Sequence, residues 1–171
     1  MKFFTLLLLT YTLSFASFYN LTSFEADFTQ SVTDDKNVSI NYNGHLIASK
    51  PQNALWNYTK PIKKDVYVSS FEVTIVEPEI EQVIIRKIEA DFDFFNMLQN
   101  ATKISKDTYK ASYKDLNFII KTKNKTIESI SYLDEFDNVV KITFKNQKQN
   151  IKIDAEIFFP KYPLDFDIVR D

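Results

Sequence analysis

Phe24-Glu25-Ala26-Asp27-Phe28-Thr29-Gln30-Ser31-Val32 alternates from end to end. Phe24, Ala26, Phe28, Gln30 and Val32 fall on one side, and Glu25, Asp27, Thr29 and Ser31 on the other. A period of two is the mark of a half-buried β-strand, because successive side chains leave a pleated backbone in opposite directions. Asp34-Asp35-Lys36-Asn37 supplies a turn, and a second strand follows from Val38 to Ala48, with Ile40, Tyr42, Gly44, Leu46 and Ala48 largely alternating with polar residues. Lys50-Pro51 closes it, since proline cannot donate to a central ladder. Working outward, Ala54–Tyr58, Asp65–Ser70, Glu72–Glu77 and Ile80–Ile85 read as four more short strands. After residue 100 the same period resumes over Thr108–Tyr113, Leu116–Lys123, Ile127–Leu133, Val139–Asn146 and Lys152–Phe159. Between these two halves, Arg86–Asn100 carries Ile88, Phe92, Phe95 and Leu98 at i, i+4, i+7 and i+10, which predicts an amphipathic helix. The sum is a chain mainly β with some α: about 10–11 antiparallel strands and one mid-chain helix, forming a curved sheet or open barrel with the helix on its concave face.

Composition narrows the function classes. The 171 residues hold no Cys, one His (His45) and one Gly (Gly44). That removes disulfide frameworks, thiol nucleophiles, a lipobox cysteine and His-built metal clusters. A single glycine cannot build a phosphate-cradling loop. No nucleophile and base pair is recognisable, so the chain is not read as an enzyme, and neither catalytic nor metal-binding residues nor a cofactor are expected. Lys and Arg number 21 against 23 Asp and Glu, net −2, which gives no global attraction for nucleic acid. Turns in a chain so poor in glycine must use Asn and Asp, which tolerate positive φ; Asn124, Asp137-Asn138 and Asn146…Asn150 are placed for this.

The N-terminus has the layout of a secretory signal: Lys2, an apolar run over Phe3–Leu13, then Ser14-Phe15-Ala16 with small residues at −3 and −1. The run is short of the ~20 apolar residues of a spanning helix. Residues 1–16 are therefore expected to be cleaved, leaving 17–171 as one domain with 20 basic and 23 acidic residues, net −3. Export without cysteines points to a bacterial periplasm.

Phe, Tyr and Trp make up 15% of the chain, enough either to pack a core or to line an apolar cavity. Phe24-Glu25-Ala26-Asp27-Phe28-Thr29-Gln30, then Gly44-His45-Leu46 through Lys50-Pro51, then Ala54-Leu55-Trp56-Asn57-Tyr58 and Pro61 resemble the outer-membrane lipoprotein carrier family, LolA. Pro78 with Gln82, and Phe158-Phe159-Pro160 with Pro163 and Asp167, are similar to later motifs of that family. The resemblance implies an incomplete antiparallel barrel with a helical lid, a periplasmic monomer holding the acyl chains of lipoproteins. It implies delivery from an inner-membrane ABC-type release complex to an outer-membrane acceptor. On that basis Phe24, Phe28, Tyr42, Leu46, Trp56 and Tyr58 are the candidate lipid-binding residues. Ile88, Phe92, Phe95 and Leu98 are the candidate lid, with Lys50 where the family has a lid-bonding arginine. The short Ser17–Thr22 stretch implies that the family's N-terminal lid helix is truncated or missing. A generic periplasmic binder of small lipids would share the sheet and helix but take free fatty acid equally well.

Three further groups have local readings. His45 is expected on the exposed side of its strand. Glu77, Glu79 and Glu81 read as a solvated edge. Asp35-Lys36-Asn37-Val38-Ser39 fits the extended D/E-x-N-x-S/T acceptor of bacterial N-glycosylation, which makes Asn37 a candidate modification site.

Overall fold

The computed structural model describes residues 20–88 and 93–170. The described chain forms one 12-stranded sheet and one short α-helix. The strands are β1 (Ser23–Thr33), β2 (Ser39–Ser49), β3 (Asn53–Lys60), β4 (Lys64–Val68), β5 (Glu72–Glu77), β6 (Gln82–Lys87), β7 (Thr102–Ser105), β8 (Thr108–Tyr113), β9 (Leu116–Lys123), β10 (Thr126–Leu133), β11 (Val139–Gln149) and β12 (Asp167–Arg170). Helix α1 spans Phe94–Gln99. The order across the sheet is β12-β6-β5-β4-β3-β2-β1-β11-β10-β9-β8-β7. It is an open sheet, antiparallel except where β12 runs parallel to β6.

Alternation in β1 sets the frame. Phe24, Ala26 and Phe28 are buried while Asp27 and Thr29 are exposed. β1 pairs with β2 and β11 along its length, and Leu46, Ala48, Val140, Ile142 and Phe144 are buried beside it. One large core on this face joins β1, β2 and β8–β11 to α1. A smaller core lies on the opposite face, where Tyr67, Val76 and Val83 pack with Leu55, Ile85, Tyr162 and Phe166. There the segment after β11 crosses the outside of β3–β6 before ending as β12.

Three expectations need correction. The helix is not Arg86–Asn100: Arg86 and Lys87 pair with Val73 and Glu72, and the Ile88 N–H donates to the Phe71 carbonyl at 3.0 Å. A continuing ladder satisfies those backbone groups, and the helix among the described residues is Phe94–Gln99, with Asp93, whose backbone is extended, as its N-cap. Ile88 thus belongs to a hairpin end and not to a helical stripe. Lys152–Phe159 is not a strand; Ala155–Phe158 is a 3-10 turn capped by Asp154, whose carboxylate accepts the Glu156 N–H at 3.1 Å. Asn146 lies inside β11, where the register with β1 shifts between Glu25 and Asp27; it makes a bulge, not a turn. β7 and β12 were not foreseen, which brings the count to twelve. The expected signal at 1–16, residues 17–19 of the short N-terminal stretch, and Phe92 lie outside the described residues.

Positive φ is taken by Asn37 (61°), Asn124 (51°), Asp137 (60°), Asn146 (52°) and Asn150 (56°), and also by Glu81 (52°), Lys114 (49°) and Lys125 (66°), which the expectation of Asn and Asp turns did not cover. Asparagine and aspartate tolerate this region better than other residues that carry a Cβ.

Candidate functional site

The sheet curves, and the curvature makes the site. Trp56 on β3 and Phe118, Ile130 and Ile142 on β9, β10 and β11 line one cavity of about 330 Å³. In a flat sheet the five inter-strand steps from β3 to β9 would hold these side chains about 24 Å apart. The remaining wall comes from Tyr113, Leu116, Tyr132 and Phe144 on the strands and from Phe94 and Met97 on α1. A second cavity of about 110 Å³ lies on the other side of Trp56 and Phe94, bounded by Leu46, Ala48, Ala54, Val68 and Phe95 with Gln52 and Asn53 at its edge. Trp56 and Phe94 are common to both, so they form the partition. Neither lining contains a charged side chain.

Helix α1 is short and firmly ended. The Asp93 carboxylate accepts the Asn96 N–H at 3.0 Å, an N-cap, and the Asn100 N–H and side-chain amide both donate to the Asn96 carbonyl. Phe95 and Leu98 point into the main core, 2% and 0% exposed. Phe94 is only half-buried and faces the cavities.

The partition rests on an aromatic cluster. Phe28 meets Trp56 and Tyr58 edge-on, each at 5.1 Å between centroids, and Trp56 stacks on Tyr58 at 6.5 Å. Tyr42 meets Tyr58 edge-on at 6.0 Å. The Tyr58 hydroxyl donates to Gln30 Oε1 at 2.9 Å. Burial pushes the Tyr58 phenol up to about 12, and burial also raises Tyr132. Both are neutral over the whole physiological range, so the cavity wall presents hydrocarbon and uncharged rings.

Gly44 makes this cluster possible. It faces Phe28 across β1 and Tyr58 across β3. A Cβ there would collide with the Asn57 carbonyl oxygen and approach two Phe28 ring carbons to 2.7 Å.

Of the six cavity candidates, Leu46 and Trp56 line the cavities, Phe24 and Phe28 are buried in the wall behind them, and Tyr58 and Tyr42 buttress Trp56 in turn. Of the lid candidates, Phe95 and Leu98 are on α1 and Ile88 is not. Lys50 is exposed at the end of β2, its N–H donating to the Thr22 carbonyl at 2.9 Å; among the described residues its ammonium meets no residue of α1. The lining from β8–β11 was missed. Its signal was present, in the alternation of Phe118 with Ile120 and of Val140 with Ile142 and Phe144, but alternation alone does not say which strands bend toward a helix.

The outer face is chemically different. His45 Nδ1 lies 2.8 Å from Asp27 Oδ1 and Nε2 3.6 Å from Glu25 Oε1, while Lys148 Nζ is 2.7 Å from Glu25. Asn146 donates to Asp27 Oδ2 at 2.7 Å. That bond, and then the one with His45, hold the Asp27 carboxyl below its ordinary range. Glu79 and Glu81 are exposed and Glu77 half-buried at the β5–β6 connection, whose strand β6 is covered by β12 and is not the sheet edge.

The family described as "Outer membrane lipoprotein carrier protein LolA" matches residues 19–115. The outer-membrane lipoprotein carrier protein of Campylobacter jejuni is 41% identical over 156 residues, covering 91% of each chain. That of Wolinella succinogenes is 28% identical over 92% of each, and that of Helicobacter pylori 35% identical over 88% of this chain and 82% of its own. Among solved structures, an uncharacterized conserved protein from Thermus thermophilus aligns with a TM-score of 0.54 at 14% identity, over 91% of this chain and 94% of that one, a likeness of fold.

Proposed function

This chain belongs to the outer-membrane lipoprotein carrier family, LolA, and from that premise we infer that it is a periplasmic chaperone whose concave cavity receives the acyl chains of lipoproteins. The observation that carries this reading is the uncharged, aromatic-lined space of about 330 Å³ between the curved sheet and α1. Apolar burial is worth ~0.8 kcal/mol per methylene, and such a space lies at the lower end of the ~300–1,000 Å³ of ligand pockets. Three chains of ~15 methylenes need more room than this. Loading therefore requires α1 to yield, and Phe94, Phe95 and Met97, its residues at the cavity walls, act as the lid when cargo is absent, with Leu98 anchoring the helix in the core. Exchange of one apolar filling for another leaves the net affinity moderate, which suits a carrier that must release its load.

On the same reading the chain is made as a precursor, with 1–16 removed and 17–171 acting as a monomer. It takes lipoproteins from an ABC-type complex in the inner membrane and gives them to an outer-membrane acceptor. No bond is made or broken in the process.

The experiment is to incubate purified residues 17–171 with energised spheroplasts and recover the soluble fraction. Intact acylated lipoproteins in complex with the protein are the expected result. Bound free fatty acid without released lipoprotein would identify a generic lipid binder and overturn the carrier reading.

A further inference from the structure

The chain holds five Asn-x-Ser/Thr triplets, at Asn20, Asn37, Asn57, Asn100 and Asn124. The structure separates them. Asn57 lies within β3 and its amide donates to Asp65. Asn100 ends α1, with its amide spent on Asn96. Asn20 and Asn124 are exposed, but Phe18 and Thr122 stand two residues before them, where a bacterial transferase reads a carboxylate. Asn37 alone has an acid at that position, Asp35, and it sits exposed at the tip of the β1–β2 hairpin. Its side-chain amide has no hydrogen-bond partner among the described residues.

The turn that presents it is built by another residue. The Asp34 carboxylate accepts the N–H groups of Lys36 and Val38, at 3.0 and 2.8 Å, and its carbonyl accepts that of Asn37 at 3.1 Å. Asp35, Lys36 and Asn37 are thus held out in solvent by Asp34, with neither the Asp35 nor the Asn37 side chain needed for the fold. Asn37 itself adopts φ 61°.

We propose that Asn37 is an N-glycosylation acceptor for a lipid-diphosphate-linked oligosaccharide. In the transfer, Nδ2 of Asn37 forms a bond to C1 of the sugar as the C1–O bond to the diphosphate breaks. The electron pair of that bond leaves on the lipid diphosphate, and one amide proton passes to a base of the transferase. The proposal rests on export of the chain. The Ser39 hydroxyl, which the transferase must also recognise, lies 2.7 Å from the Thr33 hydroxyl on the exposed hairpin, a single surface contact that the transferase has to displace. The sugar emerges beside Val38 and Ile40, exposed apolar residues of the same hairpin, at the opposite end of β1 from Lys50.

The test is co-expression of the full chain, with its own leader and in parallel behind a host leader that assures export, with a bacterial oligosaccharyltransferase and its lipid-linked oligosaccharide. Intact mass and peptide mapping of the periplasmic protein are expected to show one oligosaccharide on the peptide containing Asn37. Asn37→Gly, which suits the positive φ and keeps the turn, should remove it entirely, and Asp35→Ala should reduce it at least tenfold. Asn124→Gln should change nothing. An unmodified exported chain beside a modified control acceptor in the same cells, or a glycan that persists in Asn37→Gly, would overturn the proposal. The mass of the released mature chain reports export separately.

Discussion

Gly44 is where one atom decides the most. It is the only glycine in the chain, and the space it leaves is occupied by Phe28, which in turn holds Trp56 and Tyr58. Overpacking a fitted site costs about 1–3 kcal/mol, and here one of the colliding atoms is backbone. Gly44→Ala should therefore lower the urea midpoint by a corresponding amount without changing the slope; an unchanged midpoint would show that the cluster has slack. Tyr58 offers a second residue-scale check. Its folded value, about 12, lies above that of a free phenol near ~10. The stability linked to its neutral form is complete below pH ~10 and is lost as pH rises toward 12. An absorbance titration of wild type minus Tyr58→Phe should show one phenolate appearing near 12, and appearance with the exposed tyrosines near ~10 would place Tyr58 in solvent.

At the scale of elements, α1 carries the most consequence for its length. Six residues are too few to form an isolated helix, since nucleation is unfavourable and short helices are marginal in water. Packing of Phe95 and Leu98 and the Asp93 cap hold it in place. Asp93→Ala should cost about 0.5–2 kcal/mol and raise hydrogen exchange at Asn96 and Met97 above that of β1; equal protection before and after would mean that packing alone fixes the helix. The elements also show what was legible in the chain. β1 and the second half of β2 were readable because buried and wetter residues alternate along them, β3 because of its aromatic and apolar run, and several turns because asparagine stands where glycine is absent. The start of α1 was misread because Ile88 falls at helical spacing from Phe92, Phe95 and Leu98, and only the pairing of Arg86 and Lys87 with Val73 and Glu72 commits that end to a strand. β12 left no local signal: four exposed residues become a strand by pairing with β6, which precedes them by some eighty positions. Trp56 and Leu46 were named through the resemblance to the carrier family, on motifs that fall in β2 and β3. Tyr132 and Phe144 have the same alternation, yet their place at the cavity depends on curvature that no period encodes.

At the scale of the molecule, the two faces of one sheet have been given different work. The inner face is neutral and aromatic; the outer carries His45, Asp27, Glu25 and Lys148 in a linked chain of polar contacts. An uncharged interior under a short, separately capped helix is the arrangement that lets hydrocarbon enter without stranding a charge. Full enclosure of three acyl chains would be worth roughly 35 kcal/mol at ~0.8 kcal/mol per methylene, well past the ~20 kcal/mol at which noncovalent affinity saturates. A carrier works only below that limit, and on the proposed reading displacement of α1 residues from the cavity would keep it there. The single tryptophan, standing in the partition between the two cavities, reports on this space directly. The most direct measurement is therefore to titrate the protein with a triacylated peptide whose acyl chains carry bromine, a contact quencher, and with its unbrominated twin. Saturable loss of Trp56 emission with the brominated peptide alone is the result expected; binding of both peptides with Trp56 emission unchanged would place the acyl chains elsewhere and contradict the account.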